Sequence, residues 1–350
     1  MLRIHLPDSG AKIHAHVLDF CGFNKSGACG RRKHTITDSL IMKYFLIILL
    51  AILLIGCDYL FRFACDSQFK PIGKKKKLNM GDKSAFDKLR EELRAEREIL
   101  LSRPHEEVTI KSFDGLNLHG DLFTVDSPDR VVVCVHGYKG NGIKDMAMVA
   151  NFYLDHNCHV LLIDQRASGK SEGRYVTFGM KEQRDLCDWL FFISDRYSNL
   201  PIYIDGVSMG ATTSMLAVGN LIPQNVRGLI SDCGFTNQWD ICKHILKRNF
   251  HLPAFPVLHI TNLMCRIRLG YDMRTPDTRK ALAKADIPIV FVHGAKDDFV
   301  PVDMGRENYE CYKGEKSLLI IDGAGHGLSY TTDKAKCQKL ILEFFEKHYR

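Results

Sequence analysis

The chain has 350 residues, 45% of them apolar and 25% charged, a globular composition on a length that fits one large domain plus an appendage better than two equal domains. Its net charge of +7 is unevenly placed: residues 1–84 hold 14 Lys/Arg against 6 Asp, and the remainder holds 34 Lys/Arg against 35 Asp/Glu. The body is therefore nearly neutral and offers no nucleic-acid surface, and the basic excess belongs to the N-terminal appendage.

That appendage centres on residues 44–57, fourteen uncharged residues between Lys43 and Asp58. Continuing to Phe63 reaches the roughly 20 residues that span a bilayer. The extension takes in Asp58 and Arg62, which are four apart and able to pair or snorkel. A single-pass membrane anchor over 42–63 is the reading that length and hydropathy favour. A lipoprotein signal ending in Leu54-Ile55-Gly56-Cys57, with Cys57 acylated, and a buried helix of a soluble protein are the alternatives. Arg31, Arg32, Lys33 and Lys43 precede the span, and Arg62, Lys70 and Lys74 to Lys77 follow it, so the positive-inside rule selects no side. Met42-Lys43 resembles a natural start, which makes residues 1–41 an upstream extension, expected to be unstructured. Twelve cysteines are scattered without Cys-x-x-Cys or Cys/His metal spacing; they read as reduced core residues, which fits a reducing setting better than an oxidising one.

Residues 64–84 form a polar, lysine-rich linker, and Ser84 with Asp87 opens an amphipathic helix that ends before Pro104. Residues 107–113 and 116–123, separated by Asp114-Gly115, read as a hairpin. Strands then alternate with helices: strands near 130–135, 159–164, 201–205, 227–232, 288–293 and 317–321, helices near 144–154, 179–196, 209–220, 302–312 and 331–348. Such alternation predicts a mostly parallel, eight-stranded sheet covered by helices on both faces. Residues 235–281 are too long for one crossover, and their apolar and aromatic content predicts a helical lid.

Gly206-Val207-Ser208-Met209-Gly210 sits between a predicted strand and a predicted helix, the context of a nucleophile elbow. The same pattern occurs at Gly169-Lys170-Ser171-Glu172-Gly173, but there a loop precedes it and no apolar helix follows, so Ser171 reads as a loop residue. A serine hydroxyl needs a base, and the base needs an orienting acceptor. Gly323-Ala324-Gly325-His326-Gly327 follows the last predicted strand; a histidine among three glycines serves catalysis better than packing, and His326 is the expected base. The acid comes from Gly294-Ala295-Lys296-Asp297-Asp298. Spacing does not separate the two; Asp297 is chosen, and Asp298 is left as a cap or surface residue. His293 reads as a structural histidine. The oxyanion donors expected are the amides of Met209 and of Tyr138, in the loop His136-Gly137-Tyr138-Lys139-Gly140.

Together these motifs, with Asp164-Gln165-Arg166-Ala167-Ser168-Gly169 and Trp189, resemble the α/β-hydrolase superfamily over about residues 106–350, closest to membrane-anchored members of the Bem46-like and prolyl-oligopeptidase-like groups. The resemblance implies an α/β-hydrolase fold with an N-terminal anchor helix, in which the Asp164-x-Arg166 loop shapes the active-site region without doing chemistry. It also implies hydrolysis of ester, thioester or amide bonds with no metal or organic cofactor, and within that class the expected function is a membrane-anchored serine hydrolase that cleaves a small-molecule acyl ester through an acyl-enzyme. Peptidase, acyltransferase or thioesterase chemistry on the same three residues is the alternative within catalysis. A non-catalytic, membrane-anchored binding protein is the alternative outside it.

Overall fold

The computed structural model describes residues 28–71 and 83–349; the lysine run 74–77 lies outside them. The chain divides into two units, Met1–Ile52 and Leu53–Arg350. A single helix, α1 (Ala28–Cys65), runs through the division. It begins upstream of Met42, so residues 28–41, expected to lack structure, are helical, because a nucleated helix propagates at little cost per residue. Residues Asp38–Cys65 are long and apolar enough to cross a membrane. In the first unit, the apolar side chains from Leu40 to Ile52 are exposed.

The second unit is built as the alternation predicts. After α2 (Lys83–Ser102) come β1 (His105–Lys111), β2 (Asn117–Phe123), β3 (Arg130–Val135), α3 (Gly142–Leu154), β4 (Cys158–Ile163), α4 (Glu182–Arg196), β5 (Ile202–Val207), α5 (Met209–Ala217) and β6 (Val226–Asp232). The insertion holds α6 (Gln238–Phe250), α7 (Val257–Leu269) and α8 (Thr278–Leu282), and β7 (Ile289–Gly294), α9 (Val302–Cys311), β8 (Lys316–Ile321), α10 (Ser329–Thr332) and α11 (Lys334–Lys347) close the chain. α4 starts three residues later and α5 ends three residues earlier than expected, and one helix differs in kind. The single helix predicted over 331–348 is broken at Asp333, whose carboxylate caps the second segment by accepting from the Lys336 amide at 3.0 Å.

The eight strands lie in the order β1-β2-β4-β3-β5-β6-β7-β8. β2 is antiparallel to both neighbours and every other pairing is parallel. Because β4 and β5 flank β3 on opposite sides, the chain reverses direction there, and the loops leaving β3 and β5 diverge into a crevice at the strands' C-terminal ends. One face of the sheet carries a core of Tyr153, Phe345 and Leu100, the other a core around Trp189, Leu190 and Met215. A third apolar cluster lies above the crevice, made of lid residues with Cys57, Phe61 and Cys65 from the end of α1. The C-terminal end of the segment expected as an anchor over 42–63 therefore also packs against protein, through Cys57 and Phe61. Residues 57, 61 and 65 repeat every four positions and form a stripe buried in the second unit, a helical periodicity hidden inside a uniformly apolar stretch.

Candidate active site

Ser208 occupies the turn from β5 into α5 with φ of +57° and ψ of −117°, a conformation costly for a residue with a side chain. The glycines on either side explain why it persists. A Cβ at Gly206 would stand 2.7 Å from the Gly210 carbonyl carbon, and one at Gly210 would stand 2.0 Å from the Val135 oxygen. Only glycine lets β5, α5 and β3 pass this closely. Ser171, by contrast, is a buried loop residue whose hydroxyl donates to the Asp164 carbonyl at 2.6 Å.

The loops after β7 and β8 deliver the other two side chains. Backbone bonds from Ala295 to Ile321 (2.9 Å) and from Lys296 to Ala324 (2.8 Å) lock the loops together. His326 Nε2 stands 2.9 Å from Ser208 Oγ, and His326 Nδ1 stands 2.8 Å from Asp297 Oδ2. All three residues are buried. Asp297 Oδ1 accepts from the amides of Phe299 and Val300 at 3.0 and 2.9 Å, which fixes the carboxylate plane. Asp298 points away: its carboxylate pairs with Arg248 and its carbonyl accepts from His244 at 2.8 Å.

His293 was legible only as a structural histidine, and the structure gives it more. Its Nε2 lies 2.9 Å from the Val300 oxygen and 3.3 Å from Asp297 Oδ2. Burial alone would raise the Asp297 carboxyl, but hydrogen bonds and charge from His293 and His326 hold it well below the usual carboxylate range. Burial would lower His293, and Asp297 outweighs it and raises it. The signal in sequence was the i, i+4 spacing of His293 and Asp297, which has no meaning until the strand end folds back.

The loop after β3 passes beside Ser208: a Cβ on Gly137 would stand 3.6 Å from that of Ser208. His136 sets the loop's shape. Burial lowers its pKa, and the neutral ring fits both its bonds, Nδ1 to the Gly137 carbonyl at 2.7 Å and Nε2 from the Gln165 amide at 2.9 Å. Gln165, whose role sequence alone did not show, bonds the His136 carbonyl at 2.6 Å and accepts from Thr213 of α5 at 3.0 Å. The Tyr138 peptide thus lies alongside the elbow, and Met209 opens α5, where first-turn amides have no intrahelical partner. Further out, Arg166 of the Asp164-x-Arg166 loop is held by Asp185 and Asp114 at 2.6 and 2.9 Å, a purely architectural role.

An apolar cavity of about 100 Å³ opens on Ser208, lined among others by Phe178, Phe235, Leu258 and Phe299, and by Phe63 and Ala64 of α1. The end of α1 is capped from the same loop that runs beside Ser208. The Tyr138 hydroxyl donates to the Ala64 carbonyl at 2.6 Å and Lys139 Nζ donates to the Phe63 carbonyl at 2.8 Å, satisfying carbonyls that the helix leaves open. Cys233, Asp297 and His326 offer ligand atoms within 4.8 Å of one another, yet both nitrogens of His326 are already engaged by Ser208 and Asp297. The ten cysteines from Cys57 to Cys337 are free thiols.

The profile of the family described as "alpha/beta hydrolase fold" matches residues 130–251, which contain β3, the loop beside Ser208 and the elbow itself. The chain has the α/β-hydrolase fold. It is 28% identical over 222 residues to the uncharacterized protein YqkD of Bacillus subtilis, covering 63% of this chain and 72% of that one. Its fold matches the Pyrococcus furiosus esterase Pf2001 with a TM-score of 0.59 at 23% identity, over 71% of this chain and 93% of that one. It also matches Pyrococcus horikoshii acylaminoacyl peptidase with a TM-score of 0.54 at 18% identity, over 72% and 43%.

Proposed function

We propose that this protein is a serine carboxylesterase. The observation that carries the reading is the unbroken chain Ser208 Oγ, His326, Asp297 at 2.9 and 2.8 Å, opening on a cavity whose lining is almost wholly apolar. Ser208 attacks the acyl carbonyl while His326 Nε2 accepts its proton. Asp297 holds the Nδ1–H tautomer and stabilises the imidazolium. The amides of Tyr138 and Met209 receive the oxyanion. His326 returns the proton to the leaving alcohol, and water then repeats the sequence on the acyl-enzyme. An apolar cavity suits the hydrocarbon part of an ester better than a peptide, whose amides would lose hydrogen bonds there. We place α1 in a bilayer as a single-pass anchor, because Asp38–Cys65 is long and apolar enough to cross one and its apolar side chains from Leu40 to Ile52 are exposed.

Turnover of p-nitrophenyl esters against aminoacyl anilides tests the reaction class, together with covalent labelling of Ser208 by a fluorophosphonate. Ester turnover and labelling, both lost in Ser208→Ala, are the expected results. Preferential anilide turnover would establish a peptidase on the same three residues. Absence of labelling in folded protein would leave a binding protein on a hydrolase scaffold. For the anchor, retention of the protein in membranes after carbonate extraction is expected.

A further inference from the structure

The β1–β2 hairpin carries a cluster that ester hydrolysis leaves unused. Strand alternation sends Val108, Leu118 and Leu122 into the core around Trp189 and turns Glu107, His119 and Asp121 to the opposite face. Glu107 lies directly across from Asp121 in the ladder. His119 Nε2 stands 3.3 Å from Glu107 Oε2 and 3.7 Å from Asp121 Oδ1, and the three atoms lie within 4.8 Å of one another. His119 and Asp121 are only 7% and 4% exposed. Asp121 Oδ1 nevertheless has no hydrogen-bond partner, and neither has His119 Nδ1. A buried carboxylate oxygen left unpaired is expensive, and a native site that tolerates one calls for a counter-charge. Lys170 does not supply it, because its ammonium is taken by the other oxygen of Glu107 at 2.6 Å.

We propose that Glu107, His119 and Asp121 bind a divalent first-row transition ion, zinc by preference, as a structural site. Zinc holds nitrogen and oxygen ligands at about 2.0–2.2 Å in a tetrahedron, which sets neighbouring ligand atoms roughly 3.3–3.5 Å apart. The separations of 3.3 and 3.7 Å from His119 Nε2 are close to that spacing before any adjustment. One imidazole with two carboxylates suits zinc or manganese better than calcium, which takes oxygen throughout. Asp164 stands where a ligating histidine's supporting carboxylate belongs, its Oδ2 at 3.4 Å from His119 Nδ1. Glu107 is exposed, so water completes the coordination sphere. The ion would fasten β1, the edge strand, to β2, and through His119 and Asp164 to the loop after β4.

The test uses the full-length protein in detergent, stripped with EDTA and titrated with Zn²⁺ against a chromophoric chelator, with thermal unfolding followed in parallel. One Zn²⁺ per chain and a higher Tm on loading are expected. Glu107→Gln, on an exposed edge position that does not endanger folding, should weaken binding at least ~10-fold, and Asp121→Asn should abolish it. His326→Ala, which dismantles the Cys233 cluster beside Ser208, should bind as the wild type does. The proposal is overturned if Glu107→Gln and Asp121→Asn bind zinc like the wild type, or if His326→Ala removes the binding. It is equally overturned if neither EDTA nor Zn²⁺ moves the wild-type Tm.

Discussion

Asp297 receives two imidazoles on one carboxylate, and their roles separate by position. His326 bonds it through Nδ1 and presents Nε2 to Ser208; His293 approaches the same oxygen from the strand end and never reaches the serine. Asp297→Asn, which offers the ring the wrong tautomer, should lower kcat by about 10⁴-fold in steady-state ester hydrolysis. His293→Gln removes one supporting interaction of about 1.4 kcal/mol, so kcat should fall only about tenfold, with KM unchanged. A loss as large as that of Asp297→Asn would place His293 in the chemistry itself. Gly210 makes the opposite kind of demand. Its missing Cβ leaves room for the Val135 carbonyl, so Gly210→Ala should cost more than about 3 kcal/mol of unfolding free energy in urea.

The last turns of α1 act as a wall of the cavity as well as the continuation of an apolar helix. Phe61 is fully buried among lid residues, with the Arg268 guanidinium 5.0 Å from its ring centroid. Arg268 also pairs with Asp58 at 2.5 Å, as does Arg62 at 2.7 Å, but these groups are partly solvated. Packing should therefore outweigh charge: Phe61→Ala should lower stability by about 3–5 kcal/mol and Arg268→Ala by less than about 1 kcal/mol. Ala64, small and on the cavity wall, should set acyl length. In Ala64→Trp the KM for octanoyl esters should rise at least several-fold while acetyl esters are processed normally. Equal effects on both would show that the cavity does not hold the acyl chain.

Across the whole molecule, two buried acids beneath the crevice give stability a pH dependence of defined sign. Burial raises Asp205 to about 7, against the bond from Tyr153 at 2.7 Å, and raises Asp232 to about 6, against the bond from Ser329 at 2.9 Å. Each binds its proton more tightly folded than unfolded, so the stability each contributes is lost as pH rises from about 4 through these values. Asp205→Asn keeps an acceptor for Tyr153 and removes the titration. Its Tm relative to wild type should therefore climb between pH 4 and 7 and level off above. A difference that stays constant with pH would mean that Asp205 ionises freely in the folded protein.

Much of this was legible in the chain because it depends on local rules. Alternating strand and helix patterns located all eight strands to within two residues, and the glycines around Ser208 and His326 marked turns that only glycine allows. What remained illegible depends on which surfaces meet. Asp297 and Asp298 are neighbours with the same chemistry, and only the fold turns one toward His326 and the other toward Arg248. Cys57, Phe61 and Cys65 lie in a stretch apolar on every side, where hydropathy cannot say which face meets protein and which meets lipid. Glu107, His119 and Asp121 look like ordinary surface residues of a hairpin until strand pairing gathers them on one face, with His119 and Asp121 buried. Sequence determines how each segment bends; which side chains end up within 3 Å of one another is decided by packing over separations of tens to hundreds of residues.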